Sequence, residues 1–315
     1  MTHVAVDATS EGQRLDNFLA KVAKGVPKTH LYRVIRSGEV RVNSARAAAE
    51  TRLHVGDTVR LPPLRVAAKA VDVPAPPREF PVVFEDAHLL AIDKPAGVAV
   101  HGGSGVAFGV IEQLRRARPD GGFLELVHRL DKDTSGLLLV AKTRKALVAL
   151  QDDLRSRAPE RAVGKTYAAL VAGTWPEVTR VIDVALEKTL RADGTRHVRP
   201  VADDDAAGKR SITLVRIAES LPGFSLLEVT LKTGRTHQIR VHLAHAGHAI
   251  VGDPAYGDFA LNRAVSRGAS RFDRMFLHAL ALTFRHPATG RPMALAAPLP
   301  DDCEAFLDTL RGSPP

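Results

Sequence analysis

The feature that most limits the possible folds of this chain is a series of short apolar runs between residues 82 and 311, separated by Gly, Pro and Asp. Four runs have the length and the Val, Leu and Ile content of strands: residues 89–95, 136–142, 167–173 and 226–231. Residues 147–154 and 304–310 are the better helical candidates. Because strands and helices do not alternate regularly, we predict an α+β fold with a mixed, mainly antiparallel sheet.

A second, smaller unit is predicted at residues 12–63. Apolar residues recur at helical spacing in two stretches, and Pro27 stands at the start of the second. These apolar positions are Leu15, Phe18, Leu19 and Val22 in the first helix, and Leu31, Val34 and Ile35 in the second. Residues 39–43 alternate like a strand, and a Gly-Asp turn at residues 56–57 leads into another. The pattern predicts a small α/β domain.

Proline marks the connection between the two units. Residues 62–81 hold six of the 20 prolines, mixed with Ala and Val, and this composition favours an extended segment. We therefore predict a linker at residues 64–81 and a large domain at residues 82–311.

The chain is basic, with a formal net charge of +9, and residues 1–65 hold eleven Lys and Arg against six Asp and Glu. The polar face of the second predicted helix carries Lys28, Arg33 and Arg36, and Arg41 follows in the next strand. Such a surface attracts a polyanion through phosphate contacts and counterion release, so we predict nucleic-acid binding here. Two alternatives stay open: a coding bias toward Arg and Ala, and a packed N-terminal cap whose charges face solvent.

Composition also limits the class of protein. The single cysteine, Cys303, excludes an intramolecular disulfide and a cysteine metal cluster. The first residues lack a basic stretch followed by an apolar run, and no window reaches the roughly 18 apolar residues of a membrane span. We expect a cytoplasmic protein without membrane contact and, by default, a monomer.

Charged residues are concentrated in the segment 128–136, directly before the apolar run 137–140. Burying a charge without a partner is costly, so polar groups at the mouth of a core strand are either paired or functional. Asp131 and Asp133 are the candidates for such a role. The alternative is that both carboxylates only cap a turn.

A second polar segment, residues 233–248, contains four histidines together with Arg235 and Arg240. The histidines raise the possibility of a metal site, but guanidinium groups among them make a cation site electrostatically poor. The two arginines could instead pair with the acidic residues of segment 128–136 or hold RNA phosphate.

Tyr167, one of only three tyrosines, opens the predicted strand 167–173. A tyrosine in this position is often a half-buried strand residue with its hydroxyl at the edge. Alternatively, it offers an aromatic face for a flipped base.

The N-terminal motifs resemble the S4 RNA-binding domain. The resemblance covers Arg-Leu-Asp-Asn-Phe-Leu at residues 14–19 and the segments 36–43 and 55–57. In that family the second helix and the following loop bind folded RNA.

The motifs of the large domain resemble the RluA family of pseudouridine synthases. They are His-Arg-Leu-Asp at residues 128–131 with the run 134–142, Lys-Thr-Tyr at 165–167, and Gly-Arg-Thr-His-Gln-Ile-Arg-Val-His at 234–242. Residues 25–28, 93–97, 101–105 and 108–112 are similar to the RluC-like branch, which modifies uridines of 23S ribosomal RNA. Asp93 departs from that branch, where Asn is expected before Lys-Pro.

The RluA resemblance implies roles for individual residues. Asp131 would be the essential carboxylate and Arg240 its ion-pair partner, while Tyr167 would stack on the base and take part in C5 deprotonation. Arg129 would fill the space left by the flipped uridine, and Ile239 would line the base pocket. The further candidates for substrate contact are His237, Gln238 and Arg235.

The predicted function is isomerisation of specific uridines to pseudouridine in structured RNA, with 23S ribosomal RNA as the expected partner. This reaction needs neither a redox change nor a group donor, so we expect no cofactor and no metal. Three alternatives stay open: another structured RNA as substrate, a noncatalytic RNA-binding or ribosome-assembly protein, and a metal-dependent RNA hydrolase.

Overall fold

The structure, a computed structural model, describes residues 1–23, 25–64, 75–103, 106–156, 158, 163–190, 196–268 and 271–312. The N-terminal residues form a four-stranded sheet, and the following residues form a ten-stranded sheet and a two-stranded hairpin. Each of the two larger sheets has its own apolar core. No helix in these described ranges is long and apolar enough to cross a membrane.

The N-terminal sheet has the strand order β1-β4-β2-β3, and all its pairings are antiparallel. Its strands are β1 Thr2–Ala5, β2 Arg41–Val42, β3 Ala45–Arg46 and β4 Thr58–Leu61. Asn43 and Ser44 connect β2 to β3 with φ angles of 47° and 68°. A two-residue hairpin turn of this kind requires positive φ at both positions, a conformation that Asn tolerates better than most residues.

Two helices cover this small sheet, α1 at Leu15–Val22 and α2 at Lys28–Arg36, after a 3-10 turn at Ala8–Ser10. Six of the seven predicted apolar positions are buried, whereas Val22, in the last turn of α1, is 39% exposed. Both predicted helices are therefore confirmed. The polar face of α2 is left at the surface.

The large sheet has the strand order β10-β13-β14-β9-β15-β8-β6-β5, with β16 paired to β15 and β7 paired to β8. The strands from β5 onward are β5 Val82–Glu85, β6 Leu89–Lys94, β7 Glu125–Leu126, β8 Ser135–Ala141, β9 Gly164–Ala172, β10 Val181–Asp183, β11 Ala185–Leu190, β12 Arg196–Val201, β13 Ile212–Leu221, β14 Phe224–Leu231, β15 Leu277–Arg285 and β16 Pro292–Ala296. β11 and β12 form the separate hairpin. Only the pairing of β8 with β15 is parallel among the described strands. The predicted α+β fold with a mixed, mainly antiparallel sheet is confirmed.

The central strands of the large sheet are buried on both faces. Leu138 and Val140 belong to the core that contains α3, while Leu137 and Leu139 belong to the core that contains α4. The helices of this part are α3 Val110–Ala117, α4 Arg144–Arg155, α5 Gln238–His245, α6 Phe259–Arg267 and α7 Asp301–Gly312. The predicted helices 147–154 and 304–310 lie within α4 and α7, and the helices α3, α5 and α6 were not predicted.

A glycine fixes the start of β8, next to the segment 128–136. Gly136 has φ +106°, and a Cβ atom on it would lie 2.4 Å from the carbonyl oxygen of Ala279 in β15. A residue with a side chain would therefore clash with backbone at the parallel β8–β15 junction. This close approach lies where the chain enters β8 from the loop that carries Asp131.

The predicted domain bounds, 12–63 and 82–311, remain predictions. Of the predicted linker 64–81, residues 65–74 lie outside the described residues. Of the described remainder, Leu64 is irregular, and residues 75–81 are irregular and lead directly into β5.

Candidate active site

A cavity of about 560 Å³ opens on the face of the large sheet that carries α3 and α5. Its walls come from the loop 126–131, from β9 at Lys165 and Tyr167, and from the segment 234–240 that leads into α5. The three polar segments singled out in the sequence therefore meet in one place. The candidate substrate-contacting residues Arg129, Arg235, His237, Gln238 and Ile239 all contribute to its lining.

Asp131 lies on the loop between β7 and β8, with its side chain 29% exposed to the cavity. Its Oδ2 atom accepts a hydrogen bond from Nη1 of Arg240 at 3.2 Å and lies 3.8 Å from Nε2 of His237. The carboxylate of Asp131 thus contacts α5 directly, through the side chain of Arg240. This contact favours the paired-charge interpretation of Asp131 over the turn-capping one.

Arg240 lies in α5 and is held between two carboxylates. Its Nε and Nη2 atoms donate to Oδ2 and Oδ1 of Asp253 at 2.7 and 2.8 Å, and its Nη1 donates to Asp131. Burial alone would lower the pKa of Arg240, but its hydrogen bonds to Asp253 and the charges of both carboxylates raise it. The guanidinium thus stays charged and places a positive partner 3.2 Å from the Asp131 carboxylate.

Asp253 was missed in the sequence. Its side chain is 1% exposed, and its Oδ1 also accepts hydrogen bonds from the backbone N–H groups of Ala255 and Tyr256. Burial alone would raise its pKa, but the hydrogen bonds and charge of Arg240 hold the pKa below its ordinary value. The available signal was an acidic residue two positions after the apolar pair Ile250 and Val251, because a buried carboxylate requires a cationic partner.

His237 is the residue directly before α5 and has a left-handed backbone, with φ 53°. Its Nδ1 lies 2.9 Å from the hydroxyl of Tyr256. Burial is the largest effect on its pKa and lowers it, although the charge of Asp131 acts in the opposite direction. Non-glycine residues in this conformation cost about 1–3 kcal/mol and are concentrated at functional sites.

Tyr167 and Ile239 form the apolar part of the cavity wall, with exposed fractions of 7% and 4%. Burial raises the pKa of Tyr167, and the nearby charge of Asp131 raises it further. The tyrosine is thus in its neutral form, and its ring belongs to the same core as Leu130 and Leu277. An aromatic and an aliphatic side chain beside a carboxylate suit a planar, partly polar base.

Gln238 supports the loop before α5. Its Oε1 accepts from Thr233 Oγ1 and from the Arg235 backbone N–H, at 2.8 and 3.0 Å. Its Nε2 donates to the Ile212 carbonyl and to Thr213 Oγ1, both at 3.0 Å. Because both ends of the amide bind protein groups, Gln238 orders the cavity wall, whereas Arg129 and Arg235 are exposed at the cavity mouth.

The histidines that raised the metal alternative have different surroundings. His242 is buried against Thr213 and the Val184 carbonyl, and His248 lies 2.9 Å from the Ala172 carbonyl. His245 is exposed at the end of α5. Within the described part of the chain, no group of three or more His, Cys, Asp or Glu side chains could hold a metal ion.

Lys94, at the end of β6, is fully buried, and its Nζ donates to three carbonyl oxygens. These belong to Pro95, Val98 and Lys132, at 2.8, 2.9 and 3.0 Å. Burial lowers the pKa of Lys94 to about 7, while the charges of nearby aspartates raise it. The lysine joins the loop after β6 to the residue that follows Asp131.

Asp93, the departure from the family pattern, has a pKa raised by burial.

The candidate RNA-binding residues lie on the N-terminal unit. Lys28, Arg33 and Arg36 are exposed along α2, and Arg41 in β2 is partly exposed and donates to the Ser44 carbonyl at 3.1 Å. Lys28, Arg33 and Arg36 form a basic strip on α2, and Arg41 lies on the adjoining hairpin.

Comparison with known proteins identifies the family. A model of the RNA pseudouridylate synthase family matches residues 88–245, and a model of the S4 domain matches residues 13–59. Ribosomal large subunit pseudouridine synthase C of Escherichia coli O157:H7 is 45% identical over 316 residues, which cover 98% of this chain and 97% of that protein. The chain belongs to the RNA pseudouridylate synthase family.

This pseudouridine synthase has further relatives. The synthase C of Vibrio vulnificus (strain CMCP6) is 43% identical over 318 residues, 98% of this chain and 96% of that protein. The solved structure of human RNA pseudouridylate synthase domain containing 4 shares the fold, with a TM-score of 0.58, 24% identity and coverage of 73% of this chain and 93% of that one. The predicted RluA-family synthase with an N-terminal S4 domain is confirmed. The protein is an RNA pseudouridine synthase, and RNA is its partner.

Proposed function

We propose that Asp131 is the essential carboxylate of this synthase and that the cavity beside it binds a uridine flipped out of structured RNA. The observation that carries the proposal is the 3.2 Å contact between Asp131 and Arg240, a guanidinium already neutralised in part by Asp253. Arg240 therefore gives Asp131 a cationic partner at Oδ2 and makes no hydrogen bond to Oδ1.

The chemistry of the isomerisation fits this arrangement. The bond from N1 to C1′ breaks, the base turns, a bond forms from C5 to C1′, the C5 proton leaves and N1 takes up a proton, so that no atom is gained or lost overall. An ionised carboxylate can attack the sugar or the base, or it can assist formation of a glycal. Both routes need the charge of Asp131, and the paired geometry supports either.

The remaining cavity residues take roles that follow from their positions. The Tyr167 ring stacks on the base and Ile239 packs beside it, since both form the apolar wall. In its neutral form Tyr167 can pass on the C5 proton only if its own hydroxyl proton leaves to an acceptor at the same time. Arg129, exposed at the mouth, enters the space that the flipped uridine leaves, and Arg235 contacts phosphate.

Large-subunit ribosomal RNA is the proposed substrate. The relatives that match nearly the full length of the chain are named ribosomal large subunit pseudouridine synthases, and the S4 domain offers the basic strip on α2. We propose that Lys28, Arg33, Arg36 and Arg41 contact the phosphates of 23S ribosomal RNA. A cytoplasmic monomer is the simplest form consistent with this substrate.

The role of Asp131 is tested with Asp131→Asn, which keeps the shape of the side chain and removes its charge. We expect normal RNA binding and no release of tritium from RNA that contains 5-tritiated uridine. Asp133→Asn is the matched control, because Asp133 is in the same loop but not in the cavity lining, and it should retain activity. Appreciable turnover by Asp131→Asn would overturn the assignment.

The substrate is tested by mapping pseudouridines in ribosomal RNA from a strain that lacks this gene. We expect one or more 23S positions to revert to uridine and to be restored by the wild-type gene but not by Asp131→Asn. An unchanged 23S map together with losses in another RNA would contradict the substrate while leaving the enzyme class intact.

A further inference from the structure

Tyr256 contacts two residues that line the cavity, Arg240 and His237. It belongs to the turn that Asp253 organises, in which Asp253 Oδ1 accepts the Tyr256 backbone N–H at 3.0 Å. The Cζ atom of Arg240 lies 5.1 Å from the centroid of the Tyr256 ring. The ring thus supports the same guanidinium that contacts Asp131.

The hydroxyl of Tyr256 has two hydrogen-bond partners on different elements. It accepts the backbone N–H of Val198, in β12, at 3.0 Å, and it lies 2.9 Å from Nδ1 of His237. A phenol carries one proton and the Val198 N–H fills an acceptor position, so the hydroxyl proton is available to Nδ1. Donation to Nδ1 requires the neutral tautomer of His237 with its proton on Nε2.

Nε2 of His237 is the ring atom that faces Asp131, with 3.8 Å between Nε2 and Oδ2. His237 has a left-handed backbone, with φ 53°, and its side chain lines the cavity. Burial lowers the pKa of His237 and so favours the neutral ring that the tautomer assignment needs. The titratable and charged groups around it are Asp131, Arg240, Asp253, His197 and Tyr256.

We propose that Tyr256 is a positioning residue that acts on Asp131 through His237. Its hydroxyl holds His237 in the tautomer whose Nε2–H faces the carboxylate, so that Asp131 Oδ2 lies between that N–H and Nη1 of Arg240. The proposal rests on the proposed role of Asp131.

The same hydroxyl links the hairpin of β11 and β12 to the site. The backbone N–H of Val198 donates to this hydroxyl. In addition, the His197 ring stacks on the Tyr256 ring, with centroids 5.1 Å apart and an interplanar angle of 24°. Arg199 pairs with Glu187 at 2.8 Å, and Lys188 and Arg196 leave the two strands of this hairpin with a net positive charge. A displacement of the hairpin by RNA would therefore move the group that orients His237.

The first test is Tyr256→Phe, which removes only the hydroxyl. We expect kcat for tritium release to fall about tenfold or more, the effect of losing a buried hydrogen bond in an active site, with KM for RNA nearly unchanged. The pH dependence of kcat should shift as well, because His237 is no longer confined to one tautomer.

Ser225→Ala is the matched control for a purely structural loss. Ser225 is buried and its hydroxyl also has two partners, since it accepts the Trp175 N–H and donates to the Gly173 carbonyl, both at 2.9 Å. It lies in β14 opposite Val171, whereas Tyr167 lies opposite Val229, four residues further along that strand. Ser225→Ala should lower the melting temperature but leave the pH profile of kcat unchanged.

A double-mutant cycle separates action through His237 from action on Arg240. If Tyr256 acts through His237, Tyr256→Phe should change kcat little in a His237→Gln background. Additive losses in kcat would overturn the proposal, as would a Tyr256→Phe enzyme with wild-type kcat and pH profile.

The tautomer itself is measured by nitrogen-15 NMR of histidine-labelled wild-type protein, with the His237 signal assigned from the His237→Gln spectrum. We expect a proton on Nε2, and a proton on Nδ1 would overturn the proposal even if Tyr256→Phe failed to fold. Failure of the proposed function is distinguishable, because it would appear as full activity of Asp131→Asn with the His237 tautomer unaffected.

Discussion

At the scale of single residues, the site depends on one guanidinium shared between two carboxylates. Asp253, fully enclosed, binds two nitrogens of Arg240, and the third nitrogen reaches Asp131 in the cavity. A buried charge that loses its partner is costly, so the three groups stabilise one another only as a set. Asp253 thus contributes to the charge of the site without facing the substrate.

Arg240→Met tests this dependence. We expect loss of detectable tritium release and destabilisation by about 3–5 kcal/mol, because Asp253 would remain buried without its cation. Urea unfolding and the tritium assay measure the two effects. Arg240→Lys keeps the charge but not the fork, so it should recover part of the stability and little of the activity; equal activity of the lysine variant and the wild type would contradict the geometric requirement.

His278 gives a prediction for the pH dependence of stability. It is fully buried in β15, where its Nδ1 lies 2.9 Å from Ser135 Oγ, and burial lowers its pKa from 6.5 to about 4. The unfolded chain therefore binds a proton between these values while the folded protein does not. Stability should be complete above pH 6.5 and decrease by about 3 kcal/mol as the pH falls toward 4.

Urea unfolding of the wild type and of His278→Gln between pH 4 and 7 measures this contribution. The profile of His278→Gln should be flatter, and His3→Gln, at an exposed position of β1, serves as the control. Parallel profiles of the wild type and His278→Gln would show that His278 is not the source of the acid sensitivity.

At the scale of elements, Lys94 connects the end of β6 to two loops through three carbonyl oxygens. Lys94→Met keeps the length of the side chain and leaves those carbonyls without a donor. We expect destabilisation by about 3 kcal/mol or more, together with a lower kcat, because the loop of Asp131 loses its anchor. Unfolding and steady-state kinetics measure both, with Lys145→Met, at an exposed position of α4, as control. An unchanged kcat would show that the hydrogen bonds of Lys94 do not position the loop of Asp131 for catalysis.

The elements also show which parts of the fold could be predicted from sequence patterns. The runs that became β6, β8, β9 and β14 were predictable, because buried strands require continuous apolar residues. The helix α5 was not, since its residues 238–243 are all buried and include Gln238, Arg240 and His242, which removes the usual contrast between polar and apolar faces. The parallel contact of β8 with β15 joins residues more than 140 positions apart, a separation that no local pattern reports.

The candidate site was predictable only in part for the same reason. Asp131, Tyr167 and Arg240 could be proposed from motifs that stand in contiguous segments. Asp253 and Tyr256 lie in a turn whose importance depends on which helix it packs against, and that contact is set by the tertiary fold. Arg240 could be recognised as a partner of Asp131, but its second carboxylate could not.

At the scale of the whole molecule, a basic N-terminal domain accompanies a synthase body. The exposed basic strip of Lys28, Arg33 and Arg36 lies on α2, outside the residues that line the active-site cavity. RNA binding and catalysis are therefore open to separate measurement. If RNA binding depends on the position of the basic strip, the net charge of the protein alone does not explain it.

A triple substitution of the strip to glutamine tests the contribution of its position. We expect RNA affinity to fall and the slope of log K against log salt to decrease by about 0.7 for each lost phosphate contact. Substitution of Arg116, Arg155 and Arg267 to glutamine removes the same charge from exposed positions of three different helices. Equal salt slopes for the two triple variants would favour a general effect of net charge.

The close approach at Gly136 limits what can change beside one part of the cavity. A side chain at this position would overlap the backbone of Ala279, so Gly136 cannot gain bulk without separating two central strands, and it lies two residues after Thr134, which lines the cavity. The rim at Arg235 and Thr236 is exposed. Redesign of this synthase for a different RNA context should therefore begin at that rim, with Gly136 left unchanged.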